Sequence, residues 1–584
     1  MKISQTIKKN FLSIKESNKK YPITILISFI NFILLIYYNE NMNNMNNNLE
    51  HILGYIKVLF ILIPLSVFIS NVFKKYNKSQ NINTIITLIS SLVSFILLNM
   101  FLKNQFEYRE IYLIGAFLFS ALLAIFIDTE NKYNYEFFIN TIVKSYFLTA
   151  IYSMVLYIGV AAIIFTVNSL FDANIDEKYY YYTFLFIVLV FAVSMFLSKI
   201  PKEENKDSII NSYSKGLKIL ITYIIIPLLT IYTLILYIYL GKILITSNWP
   251  QGIVSHLILW YSVISILILI YINPINKESK ILDYFYRFFP IAVLPVYIMM
   301  FISINIRINQ YGLTENRYLV ILLAIWSLLS MIFLILKRKT KLSNQFITIG
   351  LIVFTLISAV GPLSALSLSA KSQNKRLHNI LAENNMIQGE TIISNQNVNE
   401  ETEKEINSVI SYFEERDFKY MDYVSEDFKV EDTKKVFGFN YKNIYNYPSP
   451  DSNESEYFSL NTNLNEFIDI SPYSYATTLY INEYEENTVQ TEGDIRINIQ
   501  SQIVDIYFKD EKIITVDIGN EVKKLIDTFD DKYNLNELTP KQSKIEISNN
   551  KIDILIIPSS LAFHEEKGTF NFEYMESTLY FKIK

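Results

Sequence analysis

The 584-residue chain has no cysteine. Disulfides, thiolate zinc sites, iron–sulfur clusters and cysteine nucleophiles are therefore excluded. Histidine occurs four times, at His51, His256, His378 and His564, and never in HExxH or another close pair. Glycine is sparse at 14 residues, and none of the motifs GxxxxGK[ST], GxGxxG or GxSxG is present. No phosphate loop, dinucleotide fingerprint or nucleophile elbow supports enzyme chemistry, and no cofactor or metal is implied. The acidic trio Glu483, Glu485 and Glu486 lacks the ligand spacing of a calcium loop and reads as a solvated face. Charge is scarce as well, at 18% of residues against roughly 25% in soluble domains.

The charges that exist are divided. Residues 1–370 hold 30 Lys+Arg and 17 Asp+Glu, whereas Lys371–Lys584 hold 22 and 39. Such asymmetry points to two environments. The basic part contains eleven apolar runs near 22–38, 52–73, 84–102, 110–127, 143–167, 179–198, 217–241, 252–274, 288–306, 318–336 and 345–369. Most approach the roughly 20 residues a helix needs to cross a bilayer. With the amino terminus inside, the connections on that side carry 23 basic residues and those on the other side 6. This is the bias that sets orientation. An odd span count then puts the carboxy-terminal part outside the cytoplasm.

The expected fold is an α-helical polytopic membrane protein with about eleven transmembrane helices and a C-terminal extracytoplasmic α+β domain. Its parts are a cytoplasmic basic N-terminus (1–21), a transmembrane domain (22–370) and an acidic extracytoplasmic domain (371–584). In the last, 371–385 and 400–418 read as helices and 494–508 as a half-buried strand. The segment 544–558 reads as a hairpin with an Asn-Asn turn, 569–584 as a second hairpin, 520–533 as a helix and 447–456 as a loop.

An ionisable residue at mid-span costs roughly 2.5–3.5 kcal/mol. The spans carry few. Lys57 and His256 lie near span ends, where Lys57 can snorkel to the interface. No mid-membrane carboxylate exists for ion coupling. Glu40 and Glu50, in the first external loop (39–51), are the sole acids a lipid-dependent transferase would have there.

The stretch "INIRINQYGLTENRYLVI" (304–321) is unusual for placing Arg307, Glu315 and Arg317 in a short external connection. Gly312 supplies a turn with positive φ. Thr314 is placed to N-cap the next helix, with Glu315 in its first turn. Tyr311 and Tyr318 suit the interfacial aromatic belt. The arginines run against the positive-inside bias. They would pair with Glu315, bind lipid phosphate or dock the acidic domain. Arg307, Tyr311, Glu315 and Arg317 are the candidate ligand-binding residues. Pro290, Pro295 and Pro362 are candidate helix kinks, and Gly361 begins a small-residue exit, "GPLSALSLSA", suited to close packing.

Together, "WYSVISILILIYINP" (260–274), "FYRFFPIAVLPVYIMM" (285–300), "RINQYGLTENRYLVILLAIW" (307–326) and "GPLSALSLSAKSQNKRL" (361–377) resemble the bacterial family called domain of unknown function 4153. The resemblance rests on the R-I-x-x-Y-G-L-T-x-x-R-Y core, the Trp-containing span and the G-P-x-S-A exit with S-Q-x-x-R-L. It implies a polytopic membrane protein, singles out Arg307, Tyr311, Gly312, Thr314 and Arg317, and brings no catalytic residues. Leu363 stands where relatives often have Trp.

The expectation is a multi-pass cell-membrane protein of the envelope that is non-enzymatic and senses, binds or scaffolds through its external domain. Its partners would be membrane lipid and an envelope protein or lipid-linked ligand, and not nucleic acid. The alternatives are a transporter or flippase of a lipid-linked or amphipathic substrate, or a membrane glycosyltransferase-like enzyme.

Overall fold

The computed structural model describes residues 13–584 except 43–46, 77–78, 104, 106, 130–134, 172–173, 201–214, 247–252, 341, 390, 396, 443–454, 465, 483–487, 501, 530–534 and 567–568. Most of the basic N-terminus, most of the loop expected at 447–456 and the trio Glu483, Glu485 and Glu486 lie outside the described residues. Two compact units are present, Met1–Arg376 and Leu377–Lys584.

The first unit is helical: α1 (Pro22–Asn41), α2 (Asn47–Tyr76), α3 (Gln80–Leu102), α4 (Glu107–Ala124), α5 (Tyr135–Phe171), α6 (Lys178–Phe186), α7 (Val193–Lys199), α8 (Lys215–Leu220), α9 (Ile226–Thr246), α10 (Ile253–Ile272), α11 (Lys280–Ala292), α12 (Leu294–Tyr311), α13 (Glu315–Leu336), α14 (Gln345–Ala359) and the start of α15 (Ala365–Glu383). Two π-helical stretches, Ile187–Ala192 and Ile221–Ile225, join α6 to α7 and α8 to α9. Each has a local cause. The Ser28 hydroxyl donates to the Leu189 carbonyl, and Pro227 follows the second stretch, where its ring crowds the preceding turn.

Counted through these stretches, nine helices among the described residues are long and apolar enough to cross a membrane, the make-up of a multi-pass membrane protein. All eleven expected runs are helical, but two fall short of that measure. The helix α4 has 18 residues and carries Glu107, Arg109 and Glu110 at its start. The helix α14 has 15 residues, about 22 Å at 1.5 Å per residue. The expected single run 345–369 is broken: α14 stops at Ala359, Gly361 takes φ +86°, and the chain restarts at Ala365. Pro362 therefore sits in a break rather than a kinked helix. The run 288–306 is divided at Val293, with Pro290 inside α11 and Pro295 in the first turn of α12, where its missing N–H costs no helical bond.

The burial pattern suits lipid. Outward positions on α3 and α5 are Leu92, Ile96, Ile151 and Met154, while the buried stripe of α1 is Thr24, Ile27, Ser28 and Asn31. Small polar side chains at helix contacts allow close approach and cross-helix hydrogen bonds, which replace the hydrophobic drive lost in a bilayer. The Thr24 and Ser66 hydroxyls share one such bond at 2.8 Å. Larger apolar residues fill a second core from Ile258, Ile266, Val296, Met300 and Met331.

The second unit combines helices and sheets, and its first strands are the short antiparallel pair β1 (Ile387–Gln388) and β2 (Thr391–Ile392). Asn399 caps α16 (Glu400–Glu414) by accepting from the Thr402 N–H, and the apolar stripe Ile406, Val409, Ile410 and Phe413 is buried. A six-stranded sheet runs β4 (Tyr475–Asn482), β12 (Thr569–Ile583), β11 (Ile552–Glu566), β3 (Ser455–Thr462) and β9 (Leu535–Leu538), with β10 (Ile545–Ser548) also on β11. All its pairs are antiparallel except β3 with β9. A four-stranded antiparallel meander comprises β5 (Thr488–Glu492), β6 (Ile495–Gln500), β7 (Ile503–Phe508) and β8 (Glu511–Asp517). It leads into α17 (Ile518–Ile526), capped by Asp517. The expected strand 494–508 is thus two strands, and the expected hairpin 569–584 is one long strand on β11. The hairpin at 544–558 forms as β10 and β11, around Asn549 and Asn550.

Candidate functional site

The α12–α13 turn is fixed by its own residues and by α15. Tyr311 ends α12, and Gly312 follows with φ +71° and ψ 175°, a conformation open to glycine. The Leu313 N–H donates to the Ser372 hydroxyl at 2.8 Å, and the Gln373 side-chain amide donates to the Tyr311 and Leu313 carbonyls at 3.2 and 3.0 Å. A Cβ on Gly312 would lie 2.8 Å from Gln373 Nε2. Thr314 occupies the N-cap position of α13, but its side chain makes no cap bond. Glu315, the first residue of α13, is buried.

The arginines complete the seat. Arg317 donates to the Gly312 carbonyl at 2.7 Å and the Tyr311 carbonyl at 3.3 Å, and its guanidinium lies 5.5 Å from the centre of the Tyr311 ring. It satisfies carbonyls at the end of α12, where the helix dipole favours a cation. Arg307 and Arg376 are within electrostatic range of Arg317. The Tyr318 hydroxyl donates to the Leu363 carbonyl at 2.5 Å. Tyr112 donates to the Ser358 carbonyl at 3.3 Å and feels both Tyr318 and Glu315. Arg307, Tyr311, Glu315 and Arg317 thus come together with Ser372, Gln373 and Arg376. Pro290 and Pro295 belong to α11 and α12 and take no part in the bonds just described, while Gly361 and Pro362 immediately precede Leu363.

A second polar cluster escapes a reading by runs. Glu136, on α5, is 4% exposed. Its Oε1 accepts from the side-chain amides of Asn273 and Asn344, each at 2.7 Å. Lys337 Nζ lies 3.6 Å from the same oxygen and donates to Asn344 Oδ1 at 2.6 Å. Burial pulls the Lys337 ammonium below its usual range, against the opposing pull of Glu136. The sequence signal was present, an acid and three polar residues at helix ends, but their convergence is tertiary.

Lys57 pairs with Glu110 at 2.9 Å rather than snorkelling alone. Glu40 accepts from Lys178 at 3.0 Å and from the Tyr182 hydroxyl at 2.8 Å. Among the described residues no three His, Asp or Glu side chains converge to hold a metal ion.

Residues 24–388, more than half of the chain, match the family model described as "Domain of unknown function (DUF4153)". A curated relative, "Uncharacterized protein PM1469" of Pasteurella multocida (strain Pm70), is 25% identical over 295 residues, which are 47% of this chain and 49% of the relative. The chain therefore spans about half the length of that relative. No solved structure matches.

Proposed function

The chain belongs to the family described as domain of unknown function (DUF4153), and from that premise we propose a non-enzymatic membrane protein of the cell envelope. Its amino terminus is cytoplasmic, and residues 371–584 lie outside the cytoplasm, where they sense, bind or scaffold a partner. The observation that carries this reading is the grip on α15. Ser372 and Gln373 hold main-chain groups of the α12–α13 turn, and Tyr318 holds the Leu363 carbonyl. Motif residues are engaged in seating the helix that leads to the C-terminal residues, which is what a membrane base for a binding domain requires.

Arg307, Arg317 and Arg376 give this seat a positive field suited to the phosphate of a membrane lipid or lipid-linked ligand. Glu40, one of the two acids a transferase would have in the first external loop, accepts from Lys178 and Tyr182, which speaks against its acting as a catalytic acid.

The placement is tested by converting Ser471, exposed in the second unit, to the chain's single cysteine. Labelling of Ser471→Cys in intact cells by a membrane-impermeant maleimide is expected. Labelling only after lysis would overturn the reading.

A further inference from the structure

Away from that turn, α1, α5 and α6 frame an open groove of about 720 Å³, within the roughly 300–1,000 Å³ usual for ligand sites. Leu156, Val160 and Ile164 line it from α5. Their four-residue spacing makes one continuous wall about 12 Å long. Phe32 and Phe186 form another part and meet edge to face at 5.7 Å. Ile187, at the start of a π-helical stretch, also lines it, and such bulges recur at functional sites.

The groove has a polar end. Tyr182 lines it, and its hydroxyl donates to Glu40 and accepts from the Asn39 amide at 3.0 Å. Tyr179 lines it too, with Lys178 Nζ 5.9 Å from its ring centre. Lys178 pairs with Glu40. An apolar slot within spanning helices is therefore headed by Glu40 at the end of α1 and Lys178 at the start of α6, with a second acid, Asp176, within electrostatic range of Lys178. Its length matches most of one leaflet, half of a roughly 30 Å hydrocarbon core. An acyl chain gains little by leaving lipid for an apolar slot, so selection must come from the head.

We propose that the groove holds one acyl chain of a zwitterionic phospholipid, with Lys178 meeting the head-group phosphate and Glu40 its amine. The exposed Lys178–Glu40 pair opens and is replaced by two charge-assisted contacts. An anionic head group satisfies only Lys178 and leaves Glu40 opposed. The inference is independent of where the C-terminal unit lies.

The test uses full-length protein, stripped of lipid in detergent and then exposed to equal amounts of phosphatidylethanolamine and phosphatidylglycerol. Retained lipid is counted by native mass spectrometry. One phosphatidylethanolamine is expected per chain, preferred by about tenfold, the factor one good polar contact supplies. Val160→Trp, which fills the groove, should abolish retention. Ile164→Trp provides a second filling variant should the first fail to fold. Glu40→Gln with Lys178→Gln should retain a lipid but lose the preference. No retained lipid in the native chain, or undiminished retention in a folded filling variant, would overturn the groove as the site. An unchanged preference in the Glu40/Lys178 double variant would overturn the head-group assignment.

Discussion

Gly312 is constrained twice, by its backbone and by its neighbour. Its φ of +71° with ψ of 175° is a region essentially restricted to glycine. The added Cβ would also press on Gln373 Nε2, the end of a flexible side chain that can move. The torsional cost, about 1–3 kcal/mol, should therefore outweigh the contact. Gly312→Ala is expected to lower the stability of the full-length protein by that amount in thermal unfolding, and removing the Gln373 side chain should not restore it. An unshifted melting curve for Gly312→Ala would mean that the turn relaxes freely and the grip on α15 is weak. At this scale the motif was informative. Gly312, the Thr314 N-cap position and the first-turn Glu315 could be read locally, because turn and helix-start chemistry depends on adjacent residues. The pairing of Leu313 with Ser372, some sixty residues away, could not.

Between elements, the Glu136 cluster does what no single helix can. It joins the start of α5 to the 3-10 turn Asn273–Glu278, to the end of α13 through Lys337 and to the residue before α14 through Asn344. Removing one member of a buried pair leaves the other uncompensated, at about 3–5 kcal/mol, whereas replacing both by neutral groups of similar volume is often tolerated. Glu136→Ala should thus destabilise the protein by about 3 kcal/mol, and Glu136→Gln combined with Lys337→Met should recover much of the loss. Equal losses in the two variants would show that the amide bonds, rather than the charges, hold the cluster. The helices themselves were legible from apolar length, which is set by the bilayer. Their breaks were not, because proline and glycine inside apolar runs fit either a kink or an interruption. The 494–508 segment carried an unused signal. Burial falls on Ile495, Ile497 and Ile499 and then on Val504 and Ile506, so the alternation changes phase where the chain turns. β12 was misread because its irregularities against β11 are bulges rather than turns, with Ser559 extra on β11 and Glu573 extra on β12.

For the molecule as a whole, sidedness turns on α14. From Lys277 to Ser471 the chain passes through the span Lys280–Tyr311, the span Glu315–Leu336 and then α14. Two crossings would leave Lys277 and Ser471 on one side, and three would separate them. At about 22 Å, α14 is shorter than the roughly 30 Å core. Yet Trp326 donates to the Ile347 carbonyl at 2.9 Å, and a Cβ on Gly350 would lie 3.6 Å from the same ring, so α14 lies against α13 over its first turns. The apolar start of α15, with Ala365 and Ser369 buried, can supply the remaining length after the Gly361 break. Three crossings are expected. Lys277→Cys, exposed in its connection, should therefore react with an impermeant maleimide only after lysis, while Ser471→Cys reacts in intact cells. Matching behaviour of the two variants would make α14 a re-entrant segment, and the basic and acidic parts of the chain would then share one compartment.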